Sequence, residues 1–396
     1  MATTHFLKQR FIFISHPSVG GILLLSCVLL SMLIANSPLA VGFQNLLDQT
    51  LGFSLYRFHL NYTVVSWIND GLMAMFFLMA GVEIKRELAE GQLSTVKTAA
   101  LPVLCAVGGM LVPALIYFLF NYQAKTAIGW GIPMATDIAF AVAILNALKK
   151  HIPSSLKVFL TALAIVDDLG AIVVVAVFYT SSIEFIYLLY AGGIFALMLL
   201  FNRLHVKNIW FYLVPGIVMW YLVHHSGVHA TIAGVLTALA IPVRNKSGVE
   251  LSANLEKRLT MPVNLLILPL FALANTNISF KSGMLEGLLS PLGGGIVAGL
   301  VIGKPIGIML MAFIAVKTKV GKLPQHINWV HLTGLGLLAG MGFTMSIFIS
   351  LLSFKAAGMQ AAAKFAVLVA TIIAALTGYL FLAVYAKTSK RSPLSQ

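Results

Sequence analysis

The chain has 396 residues, of which 59% are hydrophobic and 10% are charged, and its mean hydropathy is +0.95. Soluble domains carry about 25% charged residues, so this composition excludes a globular protein that faces water on all sides. Runs of ~18 or more apolar residues recur along the chain, and each can cross a hydrocarbon core of about 30 Å. These features predict an all-α polytopic membrane protein.

The apolar segments number about twelve, and their ends are placed to within ~2–4 residues. They lie at 18–36, 63–84, 99–120, 126–148, 154–179, 184–202, 208–223, 228–242, 256–276, 291–315, 328–350 and 361–385. We expect the whole chain, 1–396, to form one integral membrane domain. The alternating residues of the outside loop, about 37–61, predict either a short periplasmic β-hairpin or a collapsed loop.

The basic residues are distributed unevenly between alternate loops. The formal net charge is +14. If the N-terminus is cytoplasmic, the inside segments hold about twenty Lys and Arg residues and the outside segments about five. This asymmetry predicts cytoplasmic N- and C-termini and argues against nucleic acid as a partner. The two cysteines, Cys27 and Cys105, lie in apolar segments and give neither a disulfide framework nor a metal-binding spacing.

Two segments are interrupted in a comparable way. The fourth contains Pro133, which removes a backbone donor, followed by Thr136 and Asp137, either of which can cap a second half-helix. The eleventh is dense in glycine from 334 to 342. Each is the middle of a trio, 99–179 and 291–385, and the two run in opposite directions. The pattern predicts an inverted-repeat transporter with two broken helices and a site at the breaks, although Gly and Pro also simply kink membrane helices.

Charged side chains lie inside apolar segments at Asp137, Asp167, Asp168 and Lys304. Each ionised side chain at mid-depth costs about 2.5–3.5 kcal/mol, so a purely structural role requires very good pairing. Adjacent helical positions point about 100° apart. One acid of the Asp167–Asp168 pair can therefore coordinate an ion while the other faces a neighbouring helix or a cation. The Thr136 hydroxyl and the carbonyls at the breaks can complete an oxygen site for a hard monovalent cation.

A carboxylate in a poorly solvated pocket also binds a proton more readily than in water. The same group can then hold either a proton or a metal cation, which is the physical basis of exchange. Lys304 can pair with Asp167 or face the negative ends of the half-helices. Two alternatives stay open, since the acid pair can be neutralised by Lys304 and inactive, or Lys304 can extend to the membrane surface.

Other candidates lie closer to the segment ends. Asp70 lies toward the outer end of the second segment, where it lines a cation pathway or faces the headgroups. His229 titrates near neutrality or is a hydrogen-bonded structural residue. Charged residues at cytoplasmic helix ends are solvated or gather protons and cations near an entry; these are Glu83, Lys85, Arg86, Glu87 and Glu256. The chain has no enzyme fingerprint among those considered, so we expect no enzymatic activity, no cofactor and transport driven by a gradient.

Five motifs, in order along the chain, resemble those of the bacterial NhaA sodium/proton antiporters. They lie at 135–140, 164–171, 226–231, 303–305 and 342–349. NhaA is itself an established example of the inverted-repeat architecture. The resemblance implies a twelve-helix inner-membrane antiporter that expels Na+ or Li+ and admits more protons than cations.

The resemblance also implies roles for individual residues. Asp168, together with Asp167, would bind the cation and the protons in turn. Thr136 and Asp137 would lie where the broken helices cross, opposed by Lys304. The charged cytoplasmic cluster around Glu83, Arg86, Glu87 and Glu256 would correspond to the pH-sensing region of the family.

The chain departs from the family pattern in ways that affect regulation. Lys257 and Thr260 replace histidines after Glu256, so the pH response of the family does not transfer in detail. A homodimer formed through residues 45–58 is implied by the resemblance alone. Two other functions are compatible with buried acids: sodium-coupled symport of an organic solute, and a cation channel, which would favour a row of pore-lining acids.

Overall fold

The structure is a computed structural model that describes residues 17–52, 54–55, 58–148, 152–180, 183–244, 251–280 and 283–389. The predicted cytoplasmic termini lie outside these ranges, so their orientation stays a prediction. Residues 53, 56 and 57 of the predicted outside loop also lie outside the described residues.

The elements follow one another with short connections. The first are α1 (Pro17–Ala35), α2 (Ala40–Asp48), β1 (Thr50–Leu51), β2 (Ser54–Leu55), β3 (Phe58–His59), β4 (Tyr62–Thr63) and α3 (Val64–Glu90). Next come α4 (Val96–Phe120), a 3-10 helix (Lys125–Met134), α5 (Ile138–Ala147) and α6 (Ser154–Phe178). They are followed by α7 (Phe185–Arg203), α8 (Trp210–His225), α9 (Thr231–Ala240) and α10 (Leu251–Asn275). The last are α11 (Met284–Gly287), α12 (Pro291–Lys317), α13 (Trp329–Ala339), α14 (Phe343–Ser353) and α15 (Ala357–Ser389).

Several of these helices have the length and composition of membrane spans. Among the described residues, seven helices are long and apolar enough to cross a membrane, and the number reaches ten if each sharply bent pair is one span. Helices α8 and α9 overlap the two short segments predicted at 208–223 and 228–242. The protein is therefore a multi-pass helical membrane protein, and the number of crossings stays a prediction.

The predicted outside loop contains both helix and strand. Helix α2 occupies its first part, which the sequence pattern did not predict. Strand β1 pairs antiparallel with β4, with Thr50 opposite Thr63, and β2 pairs antiparallel with β3.

The chain divides into two compact units, which are described separately. The first unit is formed by residues 1–89 and 176–280, and the second by residues 90–175 and 281–396. The second unit contains α4, the 3-10 helix, α5, most of α6, and α11 to α15. Its core is built from buried aliphatic side chains of several helices, including Leu160, Leu163, Ile308, Leu335 and Leu338.

Two glycines let α4 and α12 approach each other closely in the second unit. A Cβ atom on Gly108 would lie 2.2 Å from the carbonyl oxygen of Gly307, and one on Gly307 would lie 2.1 Å from the carbonyl oxygen of Gly108. A Cβ atom on Gly109 would be 3.7 Å from the Cε atom of Lys304. The close approach therefore sets the stem of the buried lysine against α4.

We predict that Gly108→Ala destabilises the protein by about 1–3 kcal/mol, because the added methyl group forces the two helices apart. The expected result is a lower midpoint of thermal unfolding in detergent. Gly192→Ala in α7 is the matched control, since its Cβ atom would meet nothing within 4 Å and alanine favours the helix. Equal midpoints for Gly108→Ala and Gly192→Ala would contradict the prediction.

Candidate functional site

The two predicted interruptions are present, and they touch each other within the second unit. The 3-10 helix and α5 are bent by 40° around the extended residues 135–137, and α13 and α14 are bent by 44°. The N–H group of Asp137 donates to the carbonyl oxygen of Met341 across 2.6 Å. The first half of the fourth segment is a 3-10 helix rather than the α-helix implied by a half-helix, and it contains Pro133 and two glycines.

The carboxylate of Asp137 accepts hydrogen bonds from the N-terminal ends of two half-helices, α5 and α14. One oxygen, Oδ1, accepts from the N–H group of Phe140, which makes Asp137 the N-cap of α5 as predicted. The other, Oδ2, accepts from the N–H group and the hydroxyl of Thr344, at 3.1 and 2.6 Å. Because helix N-termini carry partial positive charge, one buried acid compensates two helix ends. Thr344 was not among the predicted site residues, although it opens the half-helix after the glycine-rich stretch.

Lys304 is fully buried and lies beside the same break. Its Nζ atom is 2.6 Å from Oδ2 of Asp167. It also donates to the carbonyl oxygen of Met134, where the 3-10 helix ends. Both predicted contacts of Lys304 are therefore made, and the alternative in which it extends to the membrane surface is wrong. A π-helical turn, Gly299–Gly303, immediately precedes the lysine, and such turns are frequent at functional sites.

Thr136 bridges Asp167 and the other broken helix. Its Oγ1 atom is 2.8 Å from Oδ2 of Asp167 and 2.9 Å from the carbonyl oxygen of Ala339, the last residue of α13. A hydroxyl has one hydrogen to donate, so it bonds to only one of these acceptors at a time. The hydroxyl therefore links the charge on Asp167 to the C-terminal end of α13.

The adjacent acids of α6 have different surroundings. Asp167 is fully buried and Asp168 is 4% exposed. Oδ2 of Asp167 receives the Lys304 and Thr136 contacts, whereas its Oδ1 atom is buried and accepts no hydrogen bond within the described residues. Lys304 forms its ion pair with Asp167. A single buried lysine thus engages one member of the acid pair directly.

The remaining candidates belong to the first unit. Nε of Arg86 is 3.2 Å from Oε2 of Glu256, which joins two of the predicted charged helix ends. Lys85 has a different role from its neighbours, because its Nζ atom donates to the carbonyl oxygens of Leu239 and Ile241 at the end of α9. That contact satisfies carbonyls that a helix C-terminus leaves without partners.

Asp70 and His229 occupy particular backbone settings in the first unit. Asp70 lies in the π-helical turn Trp67–Leu72 of α3, and its carbonyl oxygen accepts from the indole N–H of Trp220 across 2.9 Å. Nε2 of His229 is 2.9 Å from the carbonyl oxygen of Tyr179. This hydrogen bond agrees with the structural alternative for His229.

Taken together, a multi-pass helical chain has two discontinuous helices that meet at buried carboxylates and a buried lysine. That combination defines the class of secondary transporters with broken helices. The sequence profile of the Na+/H+ antiporter 1 family matches residues 12–382, so the chain belongs to that family.

The comparisons with individual proteins agree with this assignment. The chain is 57% identical over 388 residues to "Na(+)/H(+) antiporter NhaA 2" of Flavobacterium johnsoniae, covering 98% of this chain and 93% of that protein. It is 48% identical over 373 residues to an NhaA antiporter of Shewanella sp. (strain ANA-3), covering 93% and 96%. The solved structure of the sodium proton antiporter MjNhaP1 from Methanocaldococcus jannaschii has a TM-score of 0.54 at 12% identity, over 95% of this chain and 98% of that one. At that identity the likeness concerns the fold alone.

We predict that Thr136→Val raises the sodium concentration that half-saturates exchange by about tenfold or more. The variant keeps the shape of the side chain but removes the hydroxyl oxygen that we expect to complete the cation site, and a polar contact with a charged group is worth about 1.5–3 kcal/mol. Thr136→Ser is the control, because it keeps the hydroxyl and should stay close to the wild type. An unchanged half-saturating concentration in Thr136→Val would show that the hydroxyl has no part in binding.

Proposed function

We propose that this protein is a sodium/proton antiporter of the bacterial inner membrane that exports Na+, and also Li+, in exchange for protons. The observation that carries the proposal is the junction of two broken helices, where Asp137, Asp167, Asp168 and Lys304 are buried together in one unit. Membership of the Na+/H+ antiporter 1 family supports the choice of ions. Transport uses ion gradients, with no cofactor and no enzymatic step.

In this proposal, Asp168 and Asp167 hold the cation and the protons in turn. A carboxylate in such a dry pocket is stable only when a cation, a proton or a partner side chain compensates its charge. Lys304 and Thr136 fill that role for Asp167 in the structure. Na+ enters when it replaces Lys304 at Asp167, or the protons on the acid pair. From a state in which both acids are protonated, two protons leave for one cation, so exchange is electrogenic.

Asp137 and Lys304 then keep the breaks intact while the site changes occupancy. Asp137 compensates the positive ends of α5 and α14, and Lys304 compensates the negative end of the 3-10 helix through Met134. Because each charge compensates a helix end of opposite sign, the helix ends stay compensated whether or not a cation is bound.

We further propose the full architecture that the sequence predicted. It has twelve crossings in a single domain 1–396, with inverted-repeat trios 99–179 and 291–385, cytoplasmic termini and a periplasmic hairpin within 37–61. Residues 90–175 and 281–396 form the second unit, and these two ranges contain almost all of the two trios, which supports the repeat. The antiparallel strand pairs support the hairpin, and a homodimer formed through residues 45–58 would use this surface.

The pH response is proposed to involve the charged ends of α3 and α10. The ion pair between Arg86 and Glu256 joins these two helices, and Glu83 and Glu87 lie on the same helix as Arg86. Lys85 contributes by holding the end of α9. Asp70 is proposed to line the cation pathway. His229 is a further candidate for the pH response, because a change in the charge of its ring would alter its hydrogen bond to the carbonyl oxygen of Tyr179.

Sodium-coupled symport of a solute is not supported, because the matching relatives are named antiporters.

We predict that Asp168→Asn abolishes exchange while the protein still inserts in the membrane, because an amide cannot alternate between a proton and a cation. In everted membrane vesicles that hold a pH gradient, NaCl or LiCl should dissipate the gradient for the wild type and not for the variant. Glu286→Gln, which changes an exposed acid of α11 in the same unit, should behave like the wild type. Full activity in Asp168→Asn would remove this residue from the site.

We predict that Arg86→Glu and Glu256→Arg each alter the pH dependence of exchange, because each places like charges opposite each other. The double variant restores an opposite-charge pair, so its pH profile should return toward that of the wild type. Exchange rates are measured in vesicles across neutral and alkaline pH. A double variant no better than the single variants would rule out the ion pair as part of the pH response.

A further inference from the structure

A second unexposed lysine lies in the unit that contains the ion site. Among the lysines that the structure describes in this unit, Lys304 and Lys364 are the two that are not exposed. Lys364 lies in the most buried part of α15, where Ala363, Ala366 and Val367 are fully buried. No ion pair or hydrogen bond joins Lys364 to the rest of the described chain. A charge without a partner at such a place is costly in a membrane and points to a function.

Contacts along α15 fix the level of Lys364 in the unit. The Nε2 atom of Gln360 donates to the carbonyl oxygen of Phe354 across 2.6 Å, at the outer end of α14. Further along, a Cβ atom on Gly340 would lie 3.3 Å from the Cβ atom of Ala374. Helix α15 therefore runs antiparallel to α14 and then passes the break. Lys364 follows Gln360 by one turn, so it lies on the same face and about 10 Å from the level of Thr344.

Lys364 lies one helical turn beyond the residue that contacts the C-terminal end of the half-helix α14. Helix α14 ends at Ser353, and Nε2 of Gln360 donates to the carbonyl oxygens of Leu351 and Phe354 at this end. Partial negative charge at a helix C-terminus favours a nearby cation. Helix α14 thus has Asp137 at its N-terminal end and Lys364 near its C-terminal end.

The charges of the unit also balance in a particular way. Three carboxylates, Asp137, Asp167 and Asp168, are buried, and two lysines, Lys304 and Lys364, are unexposed. When all five groups are ionised, one negative charge is left over, which is the charge that a single monovalent cation neutralises. Without Lys364, the buried acids would carry a larger excess of negative charge and would hold the cation more tightly.

We propose that Lys364 sets the cation affinity of the site from a distance, by lowering the affinity so that Na+ can leave. It is a positioning residue that acts through α14 and the field at the acid cluster, and it does not touch the ion. The inference rests on the proposed antiport function. Charges about 10–15 Å apart in a partly buried setting change an affinity by about three- to tenfold.

The test compares three variants with the wild type. Lys364→Met should lower the half-saturating Na+ concentration in everted vesicles by about three- to tenfold, and Lys364→Arg should keep the wild-type value because it keeps the charge. Lys355→Met removes an exposed lysine from the connection between α14 and α15, so it controls for surface charge and should change nothing.

Direct Na+ binding to the purified proteins in detergent, measured by calorimetry, gives a second readout that needs no transport. Tighter binding in Lys364→Met, or in Lys364→Gln if the first variant does not fold, supports the proposal. Unchanged affinity in both variants overturns it, as does an affinity change in Lys364→Arg equal to that in Lys364→Met. Loss of maximal rate alone, without a change in affinity, also overturns it. Absence of exchange in the wild type would instead contradict the proposed function.

Discussion

The structure depends on the compensation of helix ends that lie inside the membrane. Each break leaves backbone N–H and C=O groups without helical partners, and no water in the hydrocarbon region replaces them. The carboxylate of Asp137 accepts hydrogen bonds from N–H groups at the N-terminal ends of α5 and α14, and Lys304 donates to the carbonyl oxygen of Met134. These two residues are also charged neighbours of the proposed ion site. The same side chains therefore compensate the unpaired backbone groups at the breaks and supply charge beside the proposed site.

In the proposed mechanism, this sharing couples occupancy of the site to the geometry of the breaks. Lys304 bonds to both Asp167 and Met134, so a cation that replaces the lysine at Asp167 would leave it bonded to the end of the 3-10 helix. Thr136 has one hydrogen for two acceptors, Asp167 and Ala339. A proton or cation on Asp167 lets the hydroxyl turn to Ala339 and strengthens the end of α13. Binding thus changes bonds in both broken helices at once.

The sequence predicts the parts of this arrangement that are local. Pro133 and the glycine-rich stretch at 334–342 mark the breaks, and charges such as Asp167 and Lys304 stand out inside apolar runs. The contacts between Asp137 and Thr344 depend on two segments more than two hundred residues apart, so no local pattern reveals them. The hydrogen bond from Lys85 to the end of α9 is likewise not predicted by any local pattern, because in the sequence Lys85 is one of several charged residues at a helix end.

The position of Lys304 follows from packing that only glycine permits. A Cβ atom on Gly299 would lie 2.8 Å from the Cβ atom of Pro133, and one on Gly340 would lie 2.4 Å from the carbonyl oxygen of Leu300. Both breaks therefore rest directly on the π-helical turn that precedes Lys304. Such turns are frequent at functional sites. Because this turn contacts both breaks and precedes Lys304, a displacement of it would act on the lysine and on both breaks.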